Sequence, residues 1–300
     1  MADAGRFAPS PTSELHLGNL RTALLAWLFA RSTGAKILLR IEDLDTARVS
    51  AAAEVARDQL ADLGAIGLDF DPPTLWQSSR LDAYAAAIAT LDTYPCYCTR
   101  REIAEAASAP HDYGHRPYPG TCLRLSVARR AELAASRPPA LRVRAEGAVS
   151  TITDVLAGQV SGVVDDFVLV RNDGTPAYNL AVVVDDQFSG VDQVVRGDDL
   201  LASAPRQAWL ARKLGGTAPS YAHVPLVLNS AGNRLAKRDG AVSLSELAKL
   251  GISPAQVLGR LAESLGLADV NEGLTPAALL SRFDPAKLPT TPWVVQPQGW

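Results

Sequence analysis

Polar side chains gather at four places where apolar segments end: Ala8-Pro9-Ser10, Glu42-Asp43, Asp185-Asp186 and Arg196-Gly197-Asp198. In open α/β sheets, ligands bind outside the carboxyl ends of the strands, so four ends that mix acids with a basic partner point to a binding cleft. A second feature is Thr12-Ser13-Glu14-Leu15-His16-Leu17-Gly18-Asn19, which leads into a helical pattern. The free N–H groups and partial positive charge of a helix start suit phosphate. Gly18 lets the backbone approach a ligand closely, and His16 can donate to phosphoryl oxygens. The Gly and Lys spacing is not that of a P-loop. Lys237 lies in a Gly- and Asn-flanked stretch, where a mobile cation can close over a polyphosphate and stabilise developing charge. The three cysteines, Cys96, Cys98 and Cys122, fall in one short region. Their odd number argues against a disulfide framework, whereas three thiolates suit a metal with four tetrahedral ligands such as zinc. On residue type alone, His111 or His115 supplies the fourth ligand.

The elements that must position these groups follow from hydrophobic periodicity. Arg6-Phe7-Ala8 reads as a first strand, broken by Pro9 and Pro11. Leu17, Leu20, Leu24, Trp27 and Leu28 recur at helical spacing, with Gly34 as a stop signal. Lys36–Ile41 reads as a second strand, so the first 41 residues form a βαβ unit. Helices are expected over Ala51–Leu63, Leu81–Leu91, Arg101–Ala107, Ala128–Ser136 and Ser203–Leu214. Residues 94–122 read as an irregular knuckle, and Ala140–Val164 as strands with turns. Asn172-Asp173-Gly174 carries a hairpin signal. Val191–Arg196 and Val224–Leu228 read as strands, Pro225 marking the latter as an edge or a start. Short helices with Pro-containing loops follow, and the last dozen residues read as loose.

The chain has 300 residues, 47% hydrophobic and 20% charged, with a net charge of -3. That length supports about two domains and a core that needs no staple. The aliphatic content excludes a disordered chain. Mean hydropathy near zero, with no run of ~18 apolar residues and no leader or lipidation motif, sets the expectation of a cytoplasmic protein without a membrane partner. The charge excludes a uniformly basic nucleic-acid coat and leaves room for a local basic groove. Lys stands at only positions 36, 213, 237, 249 and 287.

The pairing of His16-Leu17-Gly18-Asn19 with Arg234-Leu235-Ala236-Lys237-Arg238 resembles the two signatures of class I aminoacyl-tRNA synthetases. Gly5-Arg6-Phe7-Ala8-Pro9-Ser10-Pro11, Arg40-Ile41-Glu42-Asp43-Leu44-Asp45, Trp76-Gln77-Ser78, Ala177–Asp186 and Val195–Leu200 are similar to the glutamyl branch, from about residue 5 to 240. Within that branch, Cys96-x-Cys98 with Tyr118-x-x-x-Cys122 resembles the zinc site of the shortened enzymes that modify tRNA(Asp). The resemblance implies an α/β fold: a Rossmann-type parallel sheet with a zinc-bearing insertion and a short C-terminal helical segment. The corresponding division is 1–92 and 166–240 for the two halves of the catalytic domain, 93–165 for the insertion and 241–300 for the helical segment. It also implies an ATP-dependent ligase that activates L-glutamate without tRNA and esterifies it onto the queuosine base in the anticodon of tRNA(Asp).

Roles follow from that resemblance and from the chemistry of glutamate. A side-chain carboxylate suits a planar arginine fork, and the resemblance assigns it to Arg6, Arg196 and the Tyr178 hydroxyl. Glu42 and Ser10, with the backbone of Phe7, Ala8 and Pro9 nearby, complete the amino-acid site, Glu42 receiving the α-ammonium. The α-carboxylate attacks the α-phosphorus of Mg²⁺-bound ATP, so positioning and charge stabilisation carry the rate. His16 and Lys237 are the catalytic candidates, with Gly18 and Asn19 shaping the ATP pocket. One structural zinc is expected on Cys96, Cys98 and Cys122, and the resemblance makes Tyr118, rather than either histidine, the fourth ligand. Asp185 and Asp186 are expected either in the site or capping a helix or loop; Trp76 and Tyr84 are expected to pack. Two departures stand in the late motif, Arg234 where Lys is common and Ala236 where Ser is common.

Two other functions compete. An ordinary glutamyl-tRNA synthetase would charge the 3′ end of tRNA(Glu) and would need an anticodon-binding domain, for which the residues after Lys237 are few. A non-catalytic RNA-binding paralogue would have lost catalytic positions, yet Arg6, Glu42, Tyr178, Arg196 and Lys237 all remain. A monomer is expected.

Overall fold

A computed structural model describes the chain except for residues 1–2, 47–48, 50, 100, 104–117, 236–241, 270–271 and 296–300. Its centre is a seven-stranded sheet. In chain order the strands are β1 (Ala4–Phe7), β2 (Lys36–Ile41), β3 (Asp71–Trp76), β6 (Val149–Asp154), β7 (Gly158–Val163), β9 (Val191–Gly197) and β10 (Ser220–Val224). The spatial order is β3-β2-β1-β9-β10-β6-β7. All neighbouring pairs are parallel except β6 with β7. A small antiparallel sheet joins β4 (Thr93–Cys96), β5 (Ala140–Val143) and β8 (Val168–Val170).

Helix α1 (Leu17–Ser32) crosses from β1 to β2 and is buried on almost every face. Its sequence, LGNLRTALLAWLFARS, is apolar all round, the pattern of a helix enclosed between layers. One cover is the sheet. The other is the C-terminal segment of α7 (Leu244–Lys249), α8 (Pro254–Glu263) and α9 (Pro276–Leu280), whose Leu247, Val257, Leu261 and Leu279 share one core with Leu20, Leu24 and Leu28. The described residues of this C-terminal segment thus complete the main core. Arg21 of α1 is 1% exposed and donates to the carbonyl of Pro225 and to the hydroxyl and carbonyl of Ser264. Burial holds its pKa down to about 10, with Asp198 opposing.

Further helices among the described residues are α2 (Ala52–Ala65), α3 (Leu81–Ala89), α4 (Val127–Ser136), α5 (Tyr178–Phe188) and α6 (Ala204–Lys213). Helix α4 is capped by the Ser126 side chain.

The structure corrects several expectations. Strand β3 was not expected, because Pro72-Pro73 masks a strand pattern; it is tolerated because β3 is the sheet edge. The run Val224–Leu228 is two strands, β10 ending at Val224 and β11 (Val227–Leu228) resuming after Pro225. The chain end is not all loose: β12 (Trp293–Val294) pairs in parallel with β11. Cys96 lies at the end of a strand rather than in an irregular knuckle. Strands β6 and β7, within the 93–165 stretch, extend the central sheet beside β10. Residues 101–103 are helical, and the rest of the helix expected over Arg101–Ala107 lies outside the described residues.

Candidate active site

A cleft of about 650 Å³ opens at the carboxyl ends of β1, β2 and β9. Among its lining residues are Arg6, Phe7, Ala8, Pro9, Ser10, His16, Gly18, Asn19, Glu42, Tyr178 and Arg196. The parallel sheet brings these together because each element leaves its strand on the same side. Lys237 lies outside the described residues, while Arg234 and Leu235, just before it, line the cleft.

One wall of the cleft is the start of α1. His16 is its N-cap: the ring Nδ1 accepts from the backbone N–H of Gly18 at 3.0 Å and of Asn19 at 3.3 Å. Asn19 Oδ1 accepts the His16 backbone N–H in return, a reciprocal capping box. Gly18 is required by this cap itself, since a Cβ there would stand 2.9 Å from His16 Cε1. Burial holds the His16 pKa below its usual value, so the ring is neutral and its proton sits on Nε2. The backbone after the Lys237 segment docks on this wall, where Leu17 donates to the Val242 carbonyl and His16 bridges Ser243.

Arg6 and Glu42, which line another part of the cleft, belong to a largely buried charge network. Arg6 Nε donates to Asp186 Oδ1 at 3.3 Å, and Arg40 Nη1 donates to the same oxygen. Arg40 Nη2 donates to Glu42 Oε1 at 3.2 Å. Burial works to raise the pKa of Asp186, but Arg40 and Arg6 outweigh it and hold the carboxyl below the usual range. Glu42 goes the other way: burial wins over Arg40 and Arg6, and its pKa is raised. Glu42 therefore gains most from a cation arriving beside it.

Arg196 is held on three sides. Its Nε donates to His223 Nε2 at 3.0 Å, Nη1 to Gln207 Oε1 at 2.7 Å and to the Tyr178 hydroxyl at 3.4 Å, and Nη2 to the Leu200 carbonyl at 3.4 Å. Among the described residues, these partners take four of the five guanidinium hydrogens. The loop carrying Ser10 is tied by Gln59 of α2, whose Nε2 donates to the carbonyls of Ser10 and Ser13.

Asp185 and Asp186 are neither at a strand end nor capping groups. Both lie within α5 and take side-chain donors: Gln77, Arg80 and Tyr84 for Asp185, Arg6 and Arg40 for Asp186. Tyr84 is fully buried and Trp76 packs against the main core. Asp43 accepts from the backbone and hydroxyl of Ser78, which holds the Trp76-Gln77-Ser78 segment to β2. Sequence reasoning assigned no role to Arg40, Gln59, Gln207, His223 or Asp154, whose partners are distant in the chain.

The cysteines also converge. The sulfurs of Cys96, Cys98 and Cys122 lie within 4.8 Å of one another. The Tyr118 hydroxyl stands 3.5 Å from Cys96 Sγ and 3.6 Å from Cys98 Sγ. Tetrahedral bonds of zinc to sulfur and oxygen place donors roughly 3.5–3.8 Å apart, close to the 3.4 Å between Cys98 and Cys122 and to the two Tyr118 distances. The Arg142 guanidinium lies 3.6 Å over the Tyr118 ring. His111 and His115 lie outside the described residues. Among the described residues no helix is long and apolar enough to cross a membrane.

Comparison with known proteins agrees with this geometry. Residues 4–278 match the family described as tRNA synthetases class I (E and Q), catalytic domain. The chain is 59% identical over 301 residues to a glutamyl-Q tRNA(Asp) synthetase of Nocardia farcinica, covering 99% of this chain and 94% of that one. A protein of the same name from Deinococcus radiodurans is 50% identical, covering 93% of this chain and 96% of its own. The fold superposes on a glutamate tRNA ligase of Elizabethkingia meningosepticum, solved in complex with its amino acid, with a TM-score of 0.80 and 27% identity, covering 99% of this chain and 68% of that one. The chain belongs to the class I tRNA synthetases of the E and Q branch and, within it, to the glutamyl-Q tRNA(Asp) synthetases.

Proposed function

We propose that the chain activates glutamate with ATP and transfers it to the queuosine base in the anticodon of tRNA(Asp). The observation that carries the glutamate specificity is that two buried arginines, Arg6 and Arg196, line one cleft with a partly buried acid whose pKa is raised, Glu42. Arg196 and Arg6, with the Tyr178 hydroxyl, receive the side-chain carboxylate. Glu42 and Ser10 receive the α-ammonium. The names of the relatives supply the acceptor, queuosine-bearing tRNA(Asp).

In the first step an oxygen of the α-carboxylate attacks the α-phosphorus of ATP. The bond to the β-phosphate bridge breaks, pyrophosphate leaves, and glutamyl-adenylate remains. No protein nucleophile takes part; the helix start, the His16 Nε2–H and Lys237 oppose the charge that develops on the phosphates. Mg²⁺ travels with ATP. In the second step a hydroxyl of the queuosine base attacks the activated carbonyl carbon, and AMP leaves with the bonding pair. A structural zinc held by Cys96, Cys98, Cys122 and Tyr118 would fix the segment between β4 and α4.

The test is in two parts. Glutamate-dependent ATP–pyrophosphate exchange is expected without any tRNA. Labelled glutamate is expected on tRNA(Asp) carrying queuosine, retained after the 3′ terminus is removed and missing when queuosine is missing. Label on the 3′ end of tRNA(Glu) would instead support the reading that the likeness to the glutamate tRNA ligase suggests.

A further inference from the structure

Among the described residues, the hydrogen-bond partners of the Arg196 guanidinium are not carboxylates. Its Nε meets the Nε2 of His223, a ring with no exposed surface, and the Nδ1 of that ring lies 2.6 Å from Asp154 Oδ2. Arg196 has only donors, so His223 Nε2 must carry a lone pair and the ring proton must lie on Nδ1, donated to Asp154. Asp154 is fixed in turn. Its Oδ2 also accepts the His223 backbone N–H at 3.0 Å, and its Oδ1 accepts the backbone N–H groups of Leu156 and Ala157 at 2.9 and 2.8 Å. Parallel pairing of β10 with β6 sets Tyr221 opposite Asp154 and so brings His223 within its reach.

We propose that Asp154 and His223 are positioning residues for glutamate: together they hold a neutral histidine that aims Arg196 at the substrate carboxylate. The proposal rests on the reading of Arg196 as the carboxylate fork. Protonation of His223 would remove the acceptor for Arg196 Nε and set two cations face to face. The groups facing the ring are Asp154 from β6, Arg196 from β9, Arg6 from β1 and Asp198 from the turn after β9; the Tyr221 ring stacks on it with centroids 5.7 Å apart. Burial, the largest influence, and Arg196 keep the ring neutral below its usual 6.5, against the pull of Asp154. Gln207 does not substitute, because it occupies Nη1 and leaves Nε to His223 alone.

The test follows the KM for glutamate in ATP–pyrophosphate exchange from pH 8 to 5.5, for the wild type and for H223Q, whose amide can accept from Arg196 at every pH. The wild-type KM for glutamate is expected to be flat near neutrality and to rise only below pH 6.5, as the buried ring begins to protonate, with the KM for ATP little changed. H223Q is expected to rise less than the wild type, keeping only the share that protonation of Glu42 contributes. Equal profiles in the wild type and H223Q overturn the proposal. H223A is expected to raise the KM for glutamate at least tenfold and to reduce the preference for glutamate over glutamine; an unchanged preference also overturns it. ¹⁵N-labelled histidine in the wild type gives a readout that needs no variant. A neutral Nδ1–H ring that persists below pH 6.5 is expected, and an Nε2–H ring at His223 overturns the proposal. A wild type that shows no glutamate-dependent exchange at any pH refutes the glutamate reading itself, and the NMR signature then decides the Asp154–His223 pair alone.

Discussion

The Nδ1 of His16 accepts the backbone N–H of Gly18 at 3.0 Å, so one ring both ends the loop and begins the helix. The same bond commits the proton to Nε2 and makes His16 a neutral donor near neutral pH. Capping and catalysis can therefore be separated. His16→Asn keeps an N-cap side chain and is expected to stay near wild-type stability, while exchange falls about 10²-fold or more with the loss of a charge-stabilising donor. His16→Ala is expected to lose the same activity and a further ~1 kcal/mol of stability. Thermal melts beside exchange assays check the split; an active His16→Asn would remove His16 from catalysis.

Glu42 is expected to trade stability for binding. Its raised pKa means that the folded state favours the protonated acid, so that contribution is complete below 4.5 and is lost as pH rises through the folded value. At neutral pH the ionised side chain is a burden. Glu42→Gln is therefore expected to melt at or above the wild-type temperature at pH 7, the gap closing as pH falls towards 4.5. The KM for glutamate should rise at least about tenfold, the scale of one lost charge-assisted hydrogen bond. A variant both less stable and unchanged in KM would contradict this account.

Asp186 behaves oppositely. Its pKa is held below 3.8, so its contribution is full above that pH and disappears as pH falls through the folded value. Asp186→Asn leaves Arg6 and Arg40 without their shared counter-ion and is expected to cost about 3 kcal/mol or more at pH 7. Urea melts across pH 7 to 3 should show wild type and variant converging at the acid end.

Metal analysis of the purified chain is expected to give about one zinc, as for a single closed site. Tyr118→Phe is expected to surrender that zinc to a chelator that leaves the wild type loaded, and Cys98→Ser to surrender it more readily. Full retention by Tyr118→Phe would move the fourth ligand to His111, His115 or water.

Much of this arrangement was legible because local signals coincide with function. The βαβ unit, the helix start at Leu17 and the strand end at Arg196 each show in periodicity, and each delivers a lining residue. The fixing partners of those residues were not legible. Arg40 meets Asp186 across 146 positions and Asp154 meets His223 across 69, and only sheet order makes them neighbours. Asp185-Asp186 misled because an apolar run ending in acids reads equally as a strand end or as the late turns of a buried helix. The one available hint of the Asp154 pair was a lone histidine in the apolar run Tyr221–Val224, which a strand keeps only with a partner.

Strand β11 is only two residues long, yet Val227 and the adjacent Leu226 form part of the cleft wall. Its parallel partner is β12, and the backbone of Trp293 and Val295 donates to the carbonyls of Leu226 and Leu228. The segment Trp293–Val295 thus works as a splint on the part of the cleft wall that Leu226 and Val227 form. Removing Trp293–Val295 would take away the hydrogen bonds that hold Leu226 and Leu228, so a change there is expected to reach the cleft.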